Sequence, residues 1–127
     1  KGDELGCLLA THKLGLFYQR NGKTAAKGFQ LIKKAVDRGF DNALIDYGRC
    51  YETGNGVKQD LVKAFEIYSL AYEKKVKGAC IYLENCYKEG IGCTKDPKKA
   101  KEVVENFEED PLSAVIWIKF FVNLDKF

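Results

Sequence analysis

An all-α fold is predicted, a right-handed superhelix of stacked helical hairpins, and three observations carry the prediction. First, residues 41–76 lie over residues 77–112 with a shift of 36, and ten of the twenty-five positions from 42 to 66 are then identical. These are Ala43/Ala79, Ile45/Ile81, Cys50/Cys86, Tyr51/Tyr87, Gly54/Gly90, Gly56/Gly92, Asp60/Asp96, Lys63/Lys99, Ala64/Ala100 and Glu66/Glu102. A repeat of this period marks a unit that cannot bury its apolar face alone and must stack on its neighbours. Second, apolar residues recur at helical spacing, and the period-two alternation of strands is missing. Third, the two matched copies each carry a helix stop followed by a helix start at the same offset.

The elements follow in order. The first copy, over about 8–40, is weaker. Ala10, Leu14, Gly15 and Tyr18 match Ala43, Tyr47, Gly48 and Tyr51 once the following loop is taken as three residues shorter, and Phe29 and Ala35 fall 36 residues before Phe65 and Ala71. In the second copy, 41–76, Ala43, Leu44, Tyr47 and Tyr51 line one helical face, and Leu61, Ala64, Phe65, Tyr68, Ala71 and Tyr72 line another. The third copy, 77–110, repeats the pattern, and 111–127 reads as a partial repeat or capping helix. The whole, 1–127, is expected to form one solenoid of about three hairpins plus a C-terminal helix.

Between the helices of copy two stands "TGNGVKQD" (53–60), which returns as "EGIGCTKD" (89–96). Paired glycines and a lysine suggest a phosphate loop, but a phosphate loop follows a strand and this one joins two helices. Glycine is expected to end the first helix. Val57 or Cys93 tucks beneath the turn, and Asp60 or Asp96 caps the next helix, with Pro97 at its first position. A carboxylate of the chain itself then takes the place a phosphate would occupy.

Composition narrows the function. The chain has 127 residues, 46% hydrophobic and 31% charged, with two prolines, which suits one modest globular domain rather than a disordered tail. A net charge of +3 is mild, and lysines such as Lys33, Lys34, Lys98 and Lys99 alternate with acids. That reads as solvated helix faces, so no nucleic-acid partner is expected. No stretch reaches the ~20 apolar residues of a membrane span, so no membrane insertion is expected. The chain opens at Lys1 and contains no methionine, and so reads as a piece of a longer protein or a processed form.

Candidate chemistry is sparse. The five cysteines, at 7, 50, 80, 86 and 93, lack the paired spacing of a zinc site, so no metal is expected. Cys50 and Cys86 share one repeat position before a tyrosine, where a small buried side chain suits close helix packing, and Cys93 replaces Val57. Free, buried thiols favour a reducing, intracellular setting. His12 has no cysteine or carboxylate at nucleophile–base spacing, and no serine elbow or carboxylate pair stands out. No catalytic residue and no cofactor are expected.

The run "ALIDYGRCYETGNGVKQDLVKAFEIYSLA" (43–71), repeated in "ACIYLENCYKEGIGCTKDPKKA" (79–100), resembles the Sel-one-like repeat, the loop-lengthened relative of the tetratricopeptide repeat. It carries the small residue, large apolar, Gly and Tyr, then Gly-x-Gly, Lys-Ala and an aromatic pair. Copy three departs from the pattern. Glu84 stands where Gly15 and Gly48 let the two helices approach, Val103 and Val104 replace the aromatic pair, Phe107 replaces an alanine, and the copy ends in "EED". These changes are expected to tilt or part its helices and to make it a bend or partial cap.

The resemblance implies a non-catalytic scaffold or adaptor that binds a partner peptide or helix. By analogy with tetratricopeptide repeats, the first helix of each pair lines the concave face. That implies Leu16, Gln19 and Arg20 in copy one, Asn42, Ile45, Arg49 and Glu52 in copy two, and Ile81, Asn85 and Lys88 in copy three. Polar members would bond a peptide backbone or its carboxylates, and Leu16, Ile45 and Ile81 would give apolar footing. The alternatives are a structural segment of a larger repeat protein, or a ligand-binding or hydrolase relative of the cysteine-rich secreted repeat proteins, whose regular disulfide offset is not kept here. The C-terminal run "LSAVIWIKFFVNLDKF" (112–127) is apolar nearly all round a helix. Trp117, Phe120 and Phe121 are expected to lie under a next repeat, a partner protein or a second copy of the chain.

Overall fold

The computed structural model describes the backbone of residues 2–106 and the side chains of residues 6–106. Expectations placed on Phe107, on the end of copy three and on the C-terminal helix with Trp117, Phe120 and Phe121 lie outside the described residues. Within them the chain is all-helical. The helices are α1 (Gly2–Gln19), α2 (Ala25–Asp37), α3 (Leu44–Thr53), α4 (Leu61–Glu73), α5 (Ala79–Glu89) and α6 (Pro97–Asn106), and a single 3-10 turn, Asp41–Ala43, leads into α3.

Helices pair in sequence order: α1 with α2, α3 with α4, and α5 with α6; α2 then packs on α3 and α4 on α5. The pattern follows from where small and large residues fall. Gly48 lets α4 approach α3, since a β-carbon there would sit 2.6 Å from Cε1 of Tyr68, a ring that is itself fully buried. Gly15 does the same on α1, where a β-carbon would lie 2.8 Å from Ile32. In copy three the repeat register pairs Glu84 with Val104 where copy two has Gly48 with Tyr68, an exchange of large for small, and α5 still packs along α6.

Each helix pair is closed by its loop. Gly54 and Gly90 adopt the left-handed conformation (φ +72° and +73°) that ends α3 and α5. The carboxylates of Asp60 and Asp96 accept the backbone N–H groups of Lys63 and Lys99, both at 3.1 Å, and so cap α4 and α6. Asp60 and Asp96 also donate their own N–H groups to the carbonyls of Tyr51 and Tyr87, at 2.8 and 2.7 Å.

The second glycine of each loop has a different task. Gly56 and Gly92 also have positive φ, and a β-carbon on them would lie 2.2 Å from the Ala25 carbonyl oxygen and 2.1 Å from that of Leu61. Ala25 and Leu61 begin the second helix of the preceding copy. The loop backbone therefore rests on the previous hairpin, and the joint between copies is made by a residue with no side chain. Rings complete that joint: Phe29 meets Tyr51 edge-on at 5.5 Å, and Phe65 meets Tyr87 in the same way at 5.4 Å. Lys27, Lys63 and Lys99, at intervals of 36, sit over Tyr18, Tyr51 and Tyr87 at 4.9, 5.3 and 5.9 Å.

The core runs continuously through these joints. Ile32, Ala35, Ala43, Leu44, Ala64, Tyr68, Ala71 and Ala79 are all almost wholly buried. Fully burying a side chain the size of Ile32 or Leu44 stabilises by about 1.5–3 kcal/mol.

Candidate partner-binding groove

A cleft of about 420 Å³ opens where α1 meets α3. Its lining is Leu16, Gln19 and Arg20 from α1, Asp46, Arg49, Cys50 and Thr53 from α3, and Asn55 from the following loop. Leu16 supplies the apolar side, half-buried against the core. Gln19 ties the two copies together: its amide donates to the Cys50 sulfur at 2.8 Å and to the Asn55 carbonyl at 3.3 Å.

Beside this cleft lies a polar pair that the linear spacing of residues did not suggest. His12, 8% exposed, brings Nε2 to 2.7 Å from Oδ2 of Asp46, and its ring meets Phe40 edge-on at 5.6 Å. Thirty-four residues separate His12 from Asp46, so no motif announces the contact. Oδ1 of Asp46 in turn lies 3.8 Å from Arg49, whose side chain is 56% exposed. The histidine that lacked a carboxylate in the sequence has one in the fold, and the pair fastens α1 to α3. A nucleophile does not follow. Burial pushes the nearby Cys50 thiol upward, against the opposing bond from Gln19, and burial likewise pushes Cys86 up to about 12. Both are therefore protonated, inert side chains at neutral pH, and no disulfide joins any of the five cysteines.

The remaining expected groove residues are spread more widely. Asn42 is exposed in the 3-10 turn rather than on α3, and Ile45 is half-buried against the core. Glu52 accepts the Tyr68 hydroxyl at 2.7 Å, which commits its carboxylate to holding α3 against α4. Ile81 (66% exposed), Asn85 and Lys88 lie open on α5, outside the cleft. Asp46, Cys50, Thr53 and Asn55 join the site although the sequence did not place them in it. Asp46 stands one helical turn before Arg49, and that ion-pair spacing was the available signal. A smaller cleft of about 230 Å³ lies between Tyr72, Tyr87 and α6, where the Tyr72 hydroxyl donates to the Val103 carbonyl at 2.9 Å.

Comparison with known proteins fits this architecture. The family model described as Sel1 repeat matches residues 41–76 and 79–102. Two Sel1 repeats thus lie within the chain. Solved structures agree: a Sel1 repeat protein from Oxalobacter formigenes superposes with a TM-score of 0.70 at 23% identity, covering 83% of this chain and 44% of its own. A protective antigen of uropathogenic Escherichia coli strains, displaying an SLR fold, gives 0.68 at 32% identity over 79% of this chain and 22% of its own. Cysteine rich protein B of Helicobacter pylori gives 0.57 at 34% identity, with 62% and 59% covered. The chain thus spans less than two thirds of each of these proteins. No curated protein matches it significantly in sequence. None of the helices among the described residues is long and apolar enough to cross a membrane.

Proposed function

We propose that this chain is a non-catalytic protein-interaction module that holds a partner peptide or helix along the groove formed by α1, α3 and α5. The observation that carries the reading is the α1–α3 cleft, in which Leu16, Gln19, Arg20 and Arg49 converge on one solvent-open volume. Apolar footing beside guanidinium and amide donors suits a peptide, whose backbone needs bonds and whose side chains need pockets. Ile81, Asn85 and Lys88 extend the surface along α5 as open contacts. Trp117, Phe120 and Phe121 form a second contact, for a next repeat, a partner or a second copy.

Affinity capture with the wild-type chain and with an Arg49→Glu, Asn85→Ala double variant tests this. Both positions are exposed, so the fold should survive, and captured partners should be lost. Unchanged partners would sink the groove. A second reading, one stretch of a longer solenoid that binds nothing itself, draws on the apolar side chains left open on α1, Leu9, Leu14 and Phe17. It predicts no partner lost with either substitution.

A further inference from the structure

The repeat makes the α1–α3 cleft unusual within its own molecule. Leu16, Arg49 and Asn85 share one register position, and Arg20, Thr53 and Glu89 share the next turn. If the copies were uniform, every junction between first helices would carry the same pair. Instead, two guanidinium groups depart from the repeat, and both departures fall in the α1–α3 cleft. At the following junction the equivalent places hold Thr53 and Asn85, which are neutral.

The charges in the cleft are only partly cancelled from within. Its one acid, Asp46, is engaged at 2.7 Å by His12 from the buried side, and reaches Arg49 only at 3.8 Å. Arg20 is exposed and makes no ion pair among the described residues. Leu16 provides apolar contact beside them, and Gln19 and Asn55 bond each other across the wall and leave the guanidinium groups as the outward donors. A planar fork of N–H donors is the group best matched to a carboxylate, which it binds through two parallel bonds.

Building on the groove reading, we infer that the α1–α3 cleft is an acidic subsite: it takes the side-chain carboxylate of an aspartate or glutamate within a partner peptide, between Arg20 and Arg49. The cleft is open to solvent, so a peptide can run on past it, and the carboxylate is that of an internal residue rather than a chain end.

The test uses fluorescein-labelled pools of short random peptides, amidated at the C-terminus, with a fixed central glutamate, glutamine or lysine. Anisotropy titrations against the chain should show the glutamate pool binding about tenfold tighter than the glutamine pool, with the lysine pool weakest. That advantage should vanish in an Arg20→Gln, Arg49→Gln variant whose circular dichroism and thermal midpoint match the wild type, and it should shrink as salt rises. If the glutamate and glutamine pools bind alike and both are lost with Leu16→Ser, the groove stands and the acidic subsite falls. An advantage that persists in the arginine variant also overturns the subsite. So does a glutamine pool with a free C-terminus that binds as well as the amidated glutamate pool, since the ligand would then be a terminal carboxylate. Binding of no pool overturns both the subsite and the groove.

Discussion

Burial acts on single side chains in a way that alkaline titration can read. The thiol of Cys86 ordinarily loses its proton near 9.0, and burial raises that value to about 12 in the fold. Burial also raises Cys50, and burial together with the bond to Glu52 raises Tyr68. In each case the folded chain keeps a proton that the unfolded chain releases. The stabilisation is therefore fully present below about pH 9 and is lost as pH climbs toward the folded value. The free energy of unfolding in urea should hold steady from neutral pH to about pH 8.5, then decline as pH 11 is approached. A Cys86→Ala variant should start lower, for its lost packing, and decline less steeply; an identical slope would contradict this account. Iodoacetamide at mildly alkaline pH should label exposed Cys7 in the native chain and leave Cys50 and Cys86 untouched until urea unfolds it. Mass spectrometry reads that outcome directly.

At the scale of elements, the loop of each repeat is the structural decision. Its aspartate caps the next helix, an interaction worth about 1 kcal/mol, while its second glycine seats the loop on the preceding hairpin. Gly56→Ala places a methyl group 2.2 Å from a backbone oxygen at positive φ, so it should cost about 3 kcal/mol or more in chemical denaturation. Gly22→Ala, in the shorter loop of copy one with nothing within 4 Å, should change stability by less than about 0.5 kcal/mol. Equal costs would show that the loop does not lock the copies together. Much of this was legible in the sequence. The shift of 36, the aspartate before Lys63 and Lys99, and the shared position of Cys50 and Cys86 gave the hairpins, the caps and the buried thiols. What Gly56 touches was not legible, because spacing along a chain describes a residue's own helix and not the approach of the one before. For the same reason His12 found Asp46, and Glu52 turned from the groove to Tyr68, unannounced.

For the whole molecule, stacked hairpins yield a continuous core and, as its consequence, a row of first helices whose outer side chains are free to vary. The repeat constrains Tyr51, Gly56 and Asp60 through packing, whereas positions such as 16, 49 and 85 carry leucine, arginine and asparagine in turn. Of the expected groove residues, Leu16, Gln19, Arg20 and Arg49 line one cleft, because their helical turns face the same junction; those on α5 face open solvent. The most direct measurement of the groove is photo-cross-linking, with a photoreactive residue in place of Arg20 in one variant and in place of Glu66, exposed on α4, in another. The account predicts that a captured partner cross-links from position 20 and not from position 66. Cross-links from 66 alone, or equally from both, would contradict it.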